Sequence, residues 1–74
     1  MKATEAVREI MKEQEVTLTQ LAHRMQKSTR LTSDRLRSDN ITIEKLNEIL
    51  SALDCKIIIV PRDTRLPKDS YEVE

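Results

Sequence analysis

Seventy-four residues with no glycine, one cysteine and thirteen cations against thirteen anions describe one small domain of zero net charge. A chain this short buries only about 60% of the surface its unfolded form exposes, so it usually needs a disulfide, a metal or a partner. The single Cys55 excludes an internal disulfide and no His/Cys cluster offers a zinc site, which leaves a second chain as the expected support.

Composition narrows the function as well. The longest apolar run, Ile57 to Val60, is far short of a membrane span, and the amino end carries no signal-peptide apolar region. A cytoplasmic protein without membrane contact is expected. With no glycine there is neither a phosphate-cradling loop nor a nucleophile elbow, and Ser, His and Asp form no catalytic constellation. Neither enzymatic activity nor a cofactor is expected.

The first element is an amphipathic helix over about 3–14. Ala3, Ala6, Val7, Ile10 and Met11 repeat with helical spacing, and Arg8, Glu9, Lys12 and Glu13 form an ordinary solvated face. A second helix over about 18–25 has an unusually complete start. Thr17 caps it, Gln20 is placed to reach back to the Thr17 N–H, and Val16 and Leu21 stand at the positions of a hydrophobic staple. Leu18, Leu21, Ala22 and Met25 make its apolar face, while His23 on the polar side reads as a surface residue rather than a metal ligand or base.

Ser28 or Thr29 caps a third helix running to Arg37, which leaves Gln26 and Lys27 for the turn. Two short helices around so tight a turn are the geometry of a helix-turn-helix, whose second helix can enter a DNA groove. At about 100° per residue, Ser28, Leu31, Thr32, Arg35 and Leu36 group on one side; Thr29, Arg30, Ser33, Asp34 and Arg37 fall toward the other. Thr29, Arg30, Ser33 and Asp34 are the candidate base contacts, since Arg pairs bidentately with guanine, hydroxyls reach base edges and Asp accepts from cytosine. Thr17, Lys27 and Arg37, near the helix ends, are the candidate phosphate contacts. Residues 17–40 carry five cations against two anions, a net +3 inside a neutral chain, which is the charge distribution a phosphate-binding surface requires. The plainer alternative is an exposed helix whose charges only solvate it.

This stretch resembles the Cro/repressor-type, or XRE-family, helix-turn-helix. The resemblance rests on Thr17, Leu21-Ala22, Met25, Ser28, Thr32 and Leu36, continues through Ile41 to Cys55, and spans roughly Ala3 to Val60. It implies a lambda-repressor-like four-helix, mostly α fold and a DNA-binding regulator. Leu21-Ala22 sets the register, so the apparent Leu18-Thr19-Gln20 motif is a decoy and Leu18 stands where the family carries Gln. Gln26 replaces a frequent Gly in a turn that tends to need positive φ, at a cost of about 1 kcal/mol. Arg35 falls where many members are apolar.

Ser38-Asp39-Asn40 reads as a turn, after which Thr42 caps a fourth helix over about 43–53 with Ile41 and Leu46 as its staple. Ile43, Leu46, Ile49, Leu50 and Leu53 supply its apolar stripe. The period then becomes extended. Cys55, Lys56, Ile57, Ile58, Ile59 and Val60 form a short β-branched run stopped by Pro61, an expected C-terminal strand at 55–60 closing a domain of residues 1–61. A lone apolar strand invites pairing with a second subunit. An antiparallel homodimer through these six residues, as members resembling Cro form, would set two recognition helices about one DNA turn apart on a palindromic operator. The alternatives are that the run packs back as an apolar extension, or forms a hairpin with Tyr71 to Val73. The polar tail, 62–74, is expected to be disordered or to drape over the partner, anchored by Leu66 and Tyr71. Two functions follow: a double-stranded-DNA-binding repressor or autoregulator, or a protein-interaction module such as an antitoxin that meets a protein partner through this tail or the 55–60 run, with DNA binding secondary or lost.

Overall fold

The computed structural model describes residues 1–74. Four helices follow in order: α1 (Ala3–Gln14), α2 (Leu18–Met25), α3 (Thr29–Arg37) and α4 (Ile43–Ala52). Each begins where a local acceptor is available. The Glu5 carboxylate accepts from the Lys2 backbone N–H at 3.0 Å. Thr17 Oγ1 accepts from the Gln20 N–H while Gln20 Oε1 accepts from the Thr17 N–H, closing the expected capping box. Ser28, not Thr29, caps α3 by accepting from the Leu31 N–H, and Thr42 caps α4 through the Lys45 N–H.

The helix ends show how a chain without glycine turns. Glu15, Gln26 and Asp54 all take the left-handed conformation, with φ of 57°, 57° and 59°. The residue after each returns its N–H to the last helical turn: Val16 to the Met11 carbonyl, Lys27 to Ala22 and Cys55 to Leu50. Three helices thus close with one kind of loop, and each puts a side chain where glycine costs least.

Val7, Ile10 and Met11 of α1 meet Val16, Leu21 and Met25, Leu36 of α3, and Ile49, Leu50 and Leu53 in a single core. α1 packs on α3 and α4, and α2 packs on the same two helices. Val7, Leu21, Ile49 and Leu53 are fully buried, each contributing about 1.5–3 kcal/mol of transfer free energy. Ile43, expected in this core, is instead 71% exposed, because it occupies the first position of α4, before the helix meets the body. Leu46 is half-buried.

Beyond Cys55 no strand forms. The backbone groups of Lys56 to Val60 make no hydrogen bond to any other backbone group, so the expected strand at 55–60 is absent from the single chain, as is the hairpin with Tyr71 to Val73. A ladder needs a second strand, and the only candidate within the chain is engaged elsewhere. The tail turns at Pro61 and Pro67 and comes back to α1, where half-buried Tyr71 packs on the core and donates its hydroxyl proton to Glu13. Glu74 N–H bonds the Met1 carbonyl at 3.0 Å. The end of the tail is therefore docked on its own body, at Tyr71 and Glu74.

Candidate nucleic-acid interface

α3 carries a polar outward face against a narrow buried back. Thr32 and Leu36 are its buried side chains, and the Thr32 hydroxyl donates to the Ser28 carbonyl at 3.0 Å, so its polar atom is satisfied within the helix. Thr29, Arg30, Asp34 and Arg37 are exposed, and Arg30, Asp34 and Arg37 follow one another at helical spacing along one stripe. The structure thus brings three of the four candidate base-contacting residues to one surface, with Arg37 at the far end.

Ser33 is placed differently. It is half-buried and lines a cleft between α1, α2 and α3 with Arg8, Lys12 and Leu18, so it sits at the flank of the outward stripe. Leu31, expected on the seated side, is 41% exposed and stands beside Asp34 on the outer face. Sequence reasoning missed it because an apolar residue on an amphipathic wheel is assigned to the core by default. An exposed leucine on such a helix is chemically suited to a thymine methyl group.

Three departures from the expected pattern acquire physical meaning. Leu18 is half-buried against the core and exchanges a polar contact for an apolar one. Gln26 does adopt the left-handed turn. Arg35, in a place suited to an apolar residue, has a side chain only 13% exposed, and its Nη1 donates to Glu48 Oε2 of α4 at 3.2 Å. Its Nε is buried without an acceptor, so Glu48 is the one side chain that satisfies this guanidinium.

Charge is distributed more narrowly than the count of residues 17–40 implies. Arg24 donates to the Ala52 carbonyl at the end of α4, and Arg35 is held by Glu48. Lys27 Nζ lies 3.9 Å from the other oxygen of that same carboxylate. Among the anions, Asp39 pairs with Lys2 at 2.9 Å, which holds the Lys2 ammonium above its ordinary pKa through the hydrogen bond and the opposite charge. Arg30 and Arg37 are the cations of this unit with no partner in the protein, and Asp34 is the unpaired anion beside them.

Other ties fix α3 from behind. Arg8 Nη2 donates to the Leu36 carbonyl at 3.0 Å and Thr4 Oγ1 to the Ser38 carbonyl at 3.3 Å, so α1 closes the C-terminal end of the helix. Thr17, at the start of α2, is exposed with its hydroxyl oxygen engaged by the Gln20 N–H. His/Cys/Asp/Glu residues form no group able to hold a metal ion, and no helix is long and apolar enough to cross a membrane.

A capped helix, a three-residue turn ending in the Ser28 cap and a second helix with a solvated face define a helix-turn-helix protein. The model of the Cro/C1-type HTH DNA-binding domain matches residues 6–58, most of the chain, and the protein belongs to that family. No curated protein and no solved structure matches the chain. It is a DNA-binding transcriptional regulator of the Cro/C1 type.

Proposed function

We propose that the protein is a cytoplasmic repressor or autoregulator that binds a palindromic operator as a homodimer. The observation that carries this reading is the outward stripe of α3, with Arg30 and Asp34 exposed along it and Thr32 and Leu36 anchoring its back. Arg30 pairs with guanine O6 and N7, Asp34 accepts from cytosine N4, and Thr29 and Ser33 reach base edges from the flanks. Arg37 and Thr17 meet phosphates at the margins; Lys27, the third expected phosphate contact, lies instead 3.9 Å from a Glu48 oxygen.

The case for the homodimer is the state of Cys55 to Val60. From Lys56 to Val60 the backbone is unbonded, and Ile59 is 95% exposed with Ile57, Ile58 and Val60 partly so. An exposed β-branched run with open hydrogen-bonding edges is stabilised by pairing with its own copy, since an antiparallel pair satisfies the facing edge of each strand. The reading as an antitoxin-like interaction module has less to rest on, because the tail that would meet a protein partner is docked on α1.

Selection of bound sequences from a random duplex pool tests the proposal. A recovered palindrome with half-sites about one helical turn apart is expected. Recovery of no motif, with binding that vanishes as salt rises, would reduce the interaction to phosphate attraction alone.

A further inference from the structure

One carboxylate sits behind the recognition helix and touches both of its ends. Glu48 of α4 accepts from Arg35, in the last turn of α3, through Oε2 at 3.2 Å. Its Oε1 lies 3.9 Å from the ammonium of Lys27, which precedes the α3 cap. We infer that Glu48 is a positioning residue for DNA binding: it anchors α3 through Arg35 and holds Lys27 back from the phosphate backbone, and so sets the strength and salt dependence of the interaction. The inference rests on the DNA-binding reading and adds to it a built-in restraint on affinity.

An isolated surface ion pair between flexible side chains would do little, because ordering both chains costs as much as their attraction returns. Glu48 differs in being ordered already. Arg35 is 87% withdrawn from solvent with no other acceptor for its guanidinium, so the carboxylate is held in place by a contact that the packing of α3 requires. Only Lys27 then has to be ordered to complete the second pair. The carboxylate faces the ammonium with the same charge and the same kind of oxygen that a DNA phosphate would offer, so binding DNA through Lys27 exchanges one anion for another.

The consequence is a difference in counterion release. A lysine that moves from solvent to a phosphate displaces a condensed cation, adding about 0.9 to the slope of log affinity against log salt; a lysine already neutralised by Glu48 adds much less. With Lys27 and Arg35 both held by Glu48 and Arg24 turned to α4, Arg30 and Arg37 carry the free positive charge of the unit. Binding is accordingly weak in charge and dependent on what α3 reads.

The experiment measures binding of the full chain to a labelled random-sequence duplex over a series of sodium chloride concentrations. Four proteins are compared: unsubstituted, Glu48→Gln, Lys27→Gln and the double variant. Glutamine keeps an acceptor for Arg35 and removes the charge, so circular dichroism of Glu48→Gln should stay helical. Glu48→Gln is expected to steepen the salt slope by about 0.9 and to tighten low-salt binding about five- to tenfold. Lys27→Gln alone should leave slope and affinity close to those of the unsubstituted protein, and the double variant should return to that level. A merely structural role for Glu48 would change affinity without this dependence on Lys27. Should Glu48→Gln fail to fold, Lys27→Gln decides by itself: an unchanged slope supports the restraint, and a fall of about 0.9 overturns it by showing that Lys27 already meets phosphate. Equal slopes for all four proteins also overturn it, with DNA binding intact. An unsubstituted protein that shows no salt-dependent binding at all defeats the DNA-binding reading itself.

Discussion

Between Ala3 and Cys55 each helix start has a local acceptor and three helix ends share one left-handed closing loop, whereas Lys56 to Val60 leave every backbone group without a backbone partner. The same chain buries Leu21, Ile49 and Leu53 completely in the first region and leaves Ile59 almost wholly exposed in the second. The helical body is self-sufficient because helices satisfy their own hydrogen bonds and need from their neighbours only an apolar face. A strand cannot do this, since its bonds lie in another strand. The β-branched run at the end of this helical domain has no such partner within the chain.

Truncation in the body should break it most severely. Leu50→Ala is expected to lose about 2–5 kcal/mol, enough to unfold a domain of this size, as read by chemical denaturation; Leu46→Ala, at a half-buried place, should cost less. The opposite behaviour is expected from the extended segment. On the proposed homodimer, Ile58→Lys should keep the helical signal and leave the chain monomeric in sedimentation equilibrium, since its cost falls on pairing rather than on the core. A lysine variant that stays dimeric places the interface elsewhere.

These two regions also differ in how much the sequence disclosed. The helices were legible nearly to the residue because their signals are local: the Thr17–Gln20 box, the Ser28 and Thr42 caps, and apolar spacing within one turn. The left-handed place of Gln26 was legible from the resemblance, which puts a frequent Gly there, but Glu15 and Asp54 were not, since neither residue type announces a positive φ. Ion pairing across elements was hidden as well. Arg24, Lys27 and Arg35 look like DNA-facing charge in a linear count, and only the approach of α4 shows that Ala52 and Glu48 engage them. Leu31 and Ser33 depart from the wheel because α1 packs against the flank of α3, a rotation that no single helix encodes.

Smaller effects separate the body from the tail. Gln26→Gly relieves a left-handed side chain and should stabilise the body by about 0.5–1 kcal/mol, a rise of several degrees in melting temperature; no rise would mean that the Gln side chain compensates. The tail should respond to alkali instead. The hydrogen bond to Glu13, helped by burial, pushes the Tyr71 pKa up to about 12 from an ordinary 10.0. Because the folded chain favours the neutral phenol, this contribution is complete below about pH 10 and is lost as pH rises toward 12. Tyr71 is the only tyrosine, so its ultraviolet titration reports the tail directly. A midpoint near 10 would show a tail free of α1.

Whether the outward stripe of α3 reads base edges is decided by the affinity of Arg30→Ala for a selected operator and for each of its single-base variants. A loss of about 1–3 kcal/mol, accompanied by relaxed discrimination at one base position in each half-site, is the expected result. A uniform loss across all sequences, with discrimination unchanged, would make Arg30 a phosphate contact and contradict the claim.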